Sequence, residues 1–590
     1  MTSRGGRAFC SGSKAGAERP RNSAGRPAPG RRSGAAPSDA LAGPGRAGVP
    51  GPAGAQAGRA ADPGSPTRSG ARWGGQPRWG PRQAIMNRIS DLIDPWVRSA
   101  PDSPALADAA GAWSYAELQA AVDAAAAWLA ELGVRPGDRV LLVSENSRAY
   151  VALLFAAARL DAWPVLVNAR LATAEIEAIA QHASPRRMVF TLSRRAEMHA
   201  QHFDARYDPV ATLGEVAAGP LDPAAEPEPV AADPSNRVGA VLYTSGTTGT
   251  PRGVMLSHGG LIFAARAAAE IRSFQSEDRL LGGLPLTHSS GLSLVLLAGL
   301  VAGACVDIPP RTEPVTTLEW LRQRDITVWI GAPAMFAQLV EYARYRGLER
   351  VEAPRLRLLS SCSAPLPIET KRQTEALLER VLHNGYGITE CSPGISATRL
   401  DAPRQDTSVG LPYPGVEVQI TDPAGRPLAE GEAGEIWVRG PNLMLGYYRS
   451  PAETAAVVDP AGWFHTGDLG SRQDGSLFLL GRTKELILRF GFNVYPAEIE
   501  AVLEQHPAIQ RAAVLAEPTA GAAGGEEILA FLQPAHGPLP LPEITAWLRP
   551  RLAHYKQPAR MIEIEALPLT PTGKVRKEAL RALLSAAHAG

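Results

Sequence analysis

The chain has 590 residues, room for three or four domains or for one large enzyme with a satellite domain. Lys plus Arg number 60 and Asp plus Glu 59, a net charge of +1 that gives no overall bias toward nucleic acid. Four cysteines (Cys10, Cys305, Cys362, Cys391) lie far apart with no CxxC pair, which excludes a disulfide scaffold, argues against structural zinc and fits a reducing, cytoplasmic setting.

The average charge hides two unlike segments. Residues 1–85 carry 14 Lys/Arg against three acids (Glu18, Asp39, Asp62), a net of +11, together with 18 Gly and 11 Pro. Their only Leu, Ile, Val or Phe residues are Phe9, Leu41, Val49 and Ile85, too little apolar surface to offset the entropy of ordering, so a disordered tail is predicted. Arg-rich, acid-poor sequence can be an organelle presequence or a nucleic-acid-binding arm. Its Gly/Pro density forbids an amphipathic helix over most of its length, and no apolar secretory core is present. A dispensable segment, or a start assigned too far upstream, is the better reading, because folded character begins at Met86. The rest holds 46 bases against 56 acids, a net of −10, and is apolar enough for more than one core.

Ser114-Tyr-Ala-Glu117 is a capping box heading an Ala/Leu-rich helix that runs to Gly133. A strand at Arg139–Val143, a helix near 150–160, a strand at 164–167, a helix at Thr173–Ala183 and a strand at 188–191 follow. This alternation predicts a parallel α/β sheet with helices on its faces, and the rhythm returns between Val238 and Leu382. Residues 216–235 read as a surface connector. The apolar run 291–306 falls short of the ~20 residues a membrane span needs, so a buried helix or strand pair and a soluble protein are expected. From about Pro412 to Leu480, short segments between Gly/Asp/Pro turns predict a β-rich subdomain. A fresh mixed pattern starts after Lys484 and ends in a helix over 575–587. The expected divisions are a tail (1–85), a large domain (86–483) and a small one (484–590).

Five motifs carry chemistry. Tyr243-Thr-Ser-Gly-Thr-Thr-Gly-Thr-Pro-Arg-Gly-Val254 follows a short apolar strand and joins glycines, hydroxyls and one cation. Such a loop suits an anion nest, although it is neither GxxxxGK[ST] nor GxGxxG, and a plain loop remains open on these residues alone. In Asn384-Gly-Tyr-Gly-Ile-Thr-Glu390, Tyr386 suits stacking on a base and Glu390 offers a hard oxygen for Mg²⁺. In Trp463-Phe-His-Thr-Gly-Asp-Leu469, Asp468 suits accepting ribose hydroxyls. The fourth runs from Gly481 to Glu500, and the fifth is Pro571-Thr-Gly-Lys-Val-Arg576. Each alone also reads as a turn, a capped helix or a solvated lysine; their joint order and spacing do not.

In that order and spacing the chain resembles the AMP-forming acyl-CoA synthetases of the adenylate-forming (ANL) superfamily, from Met86 essentially to the end. The resemblance implies an α/β fold: a large N-terminal domain of two doubly wound α/β subdomains plus a small β-barrel, and a mobile α+β C-terminal domain. It implies a carboxylate–CoA ligase in which MgATP converts an acid to an acyl-adenylate and CoA then displaces AMP. By this resemblance Thr244, Ser245, Gly246, Thr247, Thr248 and Arg252 attend the phosphates. Asn384, Gly385 and Tyr386 line the adenine, and Thr389 contacts the α-phosphate. Glu390, with Thr244, binds Mg²⁺. Asp468 takes the ribose hydroxyls with Arg482, and Lys574 bridges carboxylate and α-phosphate. Lys484 matches the hinge, Gly491, Phe492 and Asn493 the thioester-forming loop, and His288 the pocket-gating histidine. The partners implied are a small carboxylic acid, ATP and CoA, without nucleic acid or a membrane span; a homodimer is compatible with it.

Three departures bear on this. Arg252 stands where the phosphate loop usually has Lys. Cys362-Ser363 replaces paired glycines in Ser361-Cys-Ser-Ala-Pro-Leu366, so both side chains are expected at the acyl pocket wall. Thr287 precedes His288 where an aromatic residue is common. The pocket segments 285–292, 331–336, 361–366 and 385–393 hold no charged residue except Glu390, so a neutral, apolar acid is expected, fatty or aromatic. Alternatives are a loader of a separate carrier protein, a luciferase-like oxygenase acting on the adenylate, and a non-catalytic ATP-binding relative.

Overall fold

The computed structural model describes residues 86–245, 251–310, 312–489, 492–518, 526–570 and 573–589. The expectations for the tail 1–85, with Cys10, and for Gly246, Thr247, Thr248 and Gly491 lie outside the described residues.

Two mixed sheets make up most of the large domain. The first has nine strands, running from Leu411–Pro412 through Gly394–Ala397, Leu382–Gly387, Leu358–Ser361, Val328–Gly331, Arg279–Leu281, Cys305–Asp307 and Pro104–Asp108 to Gly111–Ser114. The second has eight, with Val238–Ser245, Trp163–Asn168, Arg139–Ser144 and Arg187–Thr191 at its centre. Central neighbours pair parallel, as Leu141↔Val165 and Leu142↔Val189 do, and antiparallel strands close the edges. Parallel strands are covered on both faces, which is why Arg139–Ser144 is buried at all six positions. Arg139 is tolerated there because its guanidinium donates to the Ala183 and Ser184 carbonyls at 3.1 and 2.9 Å.

The helix Tyr115–Glu131 starts on the expected capping box, with the Ser114 hydroxyl accepting from Glu117 N–H and the Glu117 carboxylate from Ser114 N–H. The helix Arg148–Arg159 is buried continuously from Tyr150 to Ala158, as an all-apolar stretch requires. Residues of both helices share one core with both sheets. The apolar run forms a buried π-helical turn, Gly291–Leu297, continuing into Ala298–Val301 and the strand Cys305–Asp307. Among the described residues no helix is long and apolar enough to cross a membrane. Cys305, Cys362 and Cys391 are buried thiols.

The β-rich segment pairs Glu417–Thr421, Gly434–Arg439, Phe464–Gln473 and Ser476–Arg482 antiparallel in linear order. The barrel implied by resemblance is thus an open four-stranded sheet among the described residues. A bridge between Gly410 and Leu477 ties it to the end of the nine-stranded sheet. The smaller C-terminal domain sets the three-stranded sheet Ile509–Pro518, Glu526–Pro534 and Arg560–Glu563 beside the helices Pro496–Leu503, Leu541–Leu548 and Lys577–Ala589. Its core, with Ile499, Val514, Ile528 and Leu548, draws only on residues after 486.

Because that core is separate, Ile528→Ala, at a fully buried site, should cost about 2–5 kcal/mol and lower only one of two calorimetric transitions. Equal loss from a single shared transition would mean that the two cores unfold as one.

Candidate active site

The phosphate-loop candidate begins where strand Val238–Ser245 leaves the sheet, with Thr244 and Ser245 registered against Arg252 and Pro251. Thr244 is half-buried there. Arg252 is already engaged: its Nε lies 2.7 Å from the Glu453 carboxylate and its guanidinium 5.5 Å from the Tyr447 ring centroid. Tyr447 in turn donates its hydroxyl to Glu390 Oε1 at 3.0 Å. Glu453, some two hundred positions on in sequence, is thus the carboxylate beside the Arg252 charge.

The strand Leu382–Gly387 carries the second motif into the same cleft. Asn384 does not present its amide there: Nδ2 donates to the Thr407 and Ser408 carbonyls at 3.1 and 3.3 Å, and Oδ1 accepts from Gly385 N–H. Asn384 thereby holds that loop in place. Tyr386 is buried and donates its hydroxyl to Asp468 Oδ2 at 2.6 Å. Across the 464–482 hairpin Asp468 is registered against Arg482, whose Nε lies 3.1 Å from Asp468 Oδ1. Asp468 is only 7% exposed; burial pushes its carboxyl up, while Arg482 and the Tyr386 hydroxyl pull it down. Burial and the Asp468 charge push the Tyr386 phenol well above its ordinary value, which keeps it a donor.

Lys574 reaches the cleft from the small domain. Its turn is closed by Thr570 N–H donating to the Lys574 carbonyl at 2.7 Å, and Gly573 stands at φ +81°. A Cβ on Gly573 would lie 2.7 Å from the Ala334 Cβ, so this turn lands on the start of the helix Pro333–Tyr345, and only glycine permits the approach. Lys574 keeps solvent contact, yet protein walls the cleft around it. That desolvation lowers its pKa and Arg482 adds to the effect, while Asp468, Glu390 and Cys362 act in the opposite direction. His288 is lowered to about 4 by burial, with Lys574 the second cause, so its imidazole is neutral near pH 7. The structure thus brings Lys574, His288, Glu390, Asp468, Arg482 and Cys362 to one place.

The remaining expected residues fall as follows. Thr389 is buried with its hydroxyl 3.1 Å from that of Ser289, and Gly385 lines the adjoining cavity. Cys362 and Ser363 are at the cavity wall as expected; Ser363 holds φ +74° and its Oγ donates to Ser290 Oγ at 2.8 Å. Thr287 is buried and accepts from Asn168 Nδ2 at 3.2 Å. Lys484 lies in the exposed turn Thr483–Glu485, and the backbone of Phe492 and Asn493 pairs with Arg489 and Leu488.

One wall residue was missed. Arg272, only 3% exposed, lines the cavity with Leu294, Cys362, Gly385 and Pro393. The expectation of an uncharged wall is corrected. In sequence Arg272 follows the apolar helix His258–Ile271, where a cation reads as a solvated helix-end residue answering the helix dipole. Only the return of residues 385–396 and Tyr413 over that end encloses it.

Comparison with known proteins places the chain in a family. The AMP-binding enzyme family matches residues 93–448, and the AMP-binding enzyme C-terminal domain matches residues 498–574. A feruloyl-CoA synthase from Amycolatopsis sp. is 34% identical over 82% of this chain and 96% of its own length. A 4-coumarate-CoA ligase from Narcissus pseudonarcissus is 32% identical over 80% of this chain and 89% of its own. The crystal structure of ATP-bound MatB from Rhodopseudomonas palustris superposes with TM-score 0.72 at 29% identity, covering 84% of this chain and 98% of that one. Two matched domain families and relatives more than 30% identical over four fifths of the chain agree, and the chain belongs to the AMP-binding enzyme family, as an AMP-forming acid–thiol ligase.

Proposed function

We propose that the chain joins a carboxylic acid with an apolar, aromatic body to CoA through an acyl-adenylate. The observation that carries this reading is the convergence of Lys574, Asp468, Arg482 and Glu390 beside a cavity walled by Leu294, Cys362 and Pro393. The names of the aryl-CoA-forming relatives support an aromatic rather than a fatty body.

In the first half-reaction a carboxylate oxygen forms a bond to the α-phosphorus of ATP as the bond to pyrophosphate breaks. The Lys574 ammonium faces both anions and offsets their repulsion, which a poor electrophile such as a carboxylate needs. Asp468, fixed by Tyr386 and Arg482, accepts the ribose hydroxyls, and Thr244 and Ser245 begin the phosphate loop. In the second half-reaction the CoA thiol gives its proton to solvent, sulfur bonds to the acyl carbon and AMP leaves with the C–O pair. His288, neutral at pH 7, adds no charge beside the incoming acid. Lys484, between the domains, and the strand beginning at Phe492 are placed to let the small domain change the face it presents.

No cluster of three His, Cys, Asp or Glu suited to a metal exists among the described residues. The lone Glu390 carboxylate still fits Mg²⁺, which takes one or two protein carboxylates and completes its shell with phosphate oxygens and water. Bound there with Thr244, Mg²⁺ would supply charge neutralisation on the phosphates. Pyrophosphate release from a panel of acids, measured with and without CoA, tests the ligase reading. Release without thioester in the presence of CoA would favour a carrier-protein acceptor, and light with CO₂ an oxygenase.

Asp468→Ala should raise the KM for ATP by roughly 10–100-fold, because the ribose loses a charged acceptor; an unchanged ATP dependence would place the nucleotide elsewhere. Lys574→Ala should slow pyrophosphate release by about 10²–10³-fold, the usual cost of one positioned donor. The same variant should still convert supplied acyl-adenylate and CoA to thioester. Equal loss of both steps in a folded variant would contradict separate roles for the two faces of the small domain.

A further inference from the structure

Arg272 is a buried cation without an anion. Its side chain makes no ion pair with any Asp or Glu among the described residues. Nη1 donates to the Tyr413 hydroxyl at 3.1 Å and more weakly to the Ala268 carbonyl at 3.5 Å. Nε is buried with no hydrogen-bond partner, and Nη2 has none among the described residues; Nη2 lies 3.7 Å from where a Cβ on Gly385 would stand, beside the cavity.

Nε and Nη2 form one edge of the guanidinium fork. Elsewhere in this molecule that edge grips carboxylates: Arg88 holds Asp161 through Nε and Nη2 at 2.9 Å each, and Arg439 holds Glu417 the same way at 3.0 and 2.9 Å. Leaving a charged group buried and unpaired is strongly unfavourable unless something offsets it. The remaining wall offers no protein anion to do so: Leu294, Cys362, Gly385 and Pro393 are uncharged, and Ser290 and Ser363 bond toward each other. The charges of Arg272 and Lys574 both act on Cys362 at the cavity wall, so the cation shares the cavity with the residue assigned to the reacting end.

We infer that Arg272 is the counter-charge for a second, remote carboxylate on the acyl substrate, held side-on through Nε and Nη2, so that the acids activated are aromatic dicarboxylates of which only one carboxylate reacts. This rests on the ligase reading proposed above and replaces its neutral substrate by a dianionic one. It also accounts for a wall on which Arg272 is the one charged residue, beside Leu294, Cys362 and Pro393: the body is recognised by burial, the second carboxylate by charge.

The test uses the full chain and matched pairs of aromatic acids, each pair consisting of a dicarboxylate and its remote-end methyl ester. Pyrophosphate release and thioester formation are followed with ATP and CoA. The wild-type protein should prefer the dicarboxylate in kcat/KM by on the order of 10²-fold, as expected for a lost hydrogen bond to a charged group. Arg272→Met should lose most of that preference while keeping turnover of the ester, and Arg272→Lys should retain part of it. Wild-type preference for the ester, or equal use of both, would make Arg272 a structural residue and overturn the assignment without touching the ligase reading. The wild-type comparison decides this even if Arg272→Met fails to fold. Release of pyrophosphate with no acid of either kind would overturn the ligase reading, and this assignment with it.

Discussion

A carboxylate taken out of water must be held by donors, and Asp468 shows what that constraint builds. Its oxygens are met by the Tyr386 hydroxyl from the nine-stranded sheet and by Arg482 from the far strand of its own hairpin. Two sheets are thereby pinned at one carboxylate, and a turn, Thr483–Glu485, follows directly after Arg482. A single buried polar contact fixes where the nucleotide cleft lies relative to the point from which the second domain departs. Removing either donor would leave a buried charge unsatisfied, an expensive outcome that makes the arrangement rigid as well as local.

The alternation of strands and helices was legible because the two periodicities are strong here. Tyr150–Ala158 is apolar on all sides and is buried on all sides, and the Ser114–Glu117 box caps the helix it heads. The motif residues were legible for another reason: Asp468, Glu390, Tyr386 and Lys574 sit in short strings whose order carries the resemblance, and they do converge. What could not be read were pairings between distant strings. Glu453 claims Arg252, the Thr407–Ser408 loop claims the Asn384 amide, and residues 385–396 with Tyr413 enclose Arg272. None of these has a local signature, because a side chain's partner is set by which loops the tertiary fold lays together.

Three polar groups share a feature: Arg252 and Asn384 are engaged by distant parts of the protein, and Arg272, which reads as solvated, is enclosed. Buried polar atoms in a close-packed interior are seldom left without partners, and this makes the incompletely bonded guanidinium of Arg272 informative against the rest. The Arg139 guanidinium, equally buried, reaches carbonyls on several sides; the Arg272 fork has one edge bonded and the other bare.

The glycine at 573 has a consequence for how the protein divides its time. Next to Lys574, Gly573 comes so close to the helix at Ala334 that a Cβ there would lie 2.7 Å from the Ala334 methyl. Two orientations of a domain separated by only about 1.4 kcal/mol are populated ten to one. Such a ratio would be reset by the charges that enter and leave the cleft: the polyanionic triphosphate of ATP draws the ammonium in, and the departure of pyrophosphate weakens that pull. Timekeeping between the two half-reactions would then reside in the substrates' own charges.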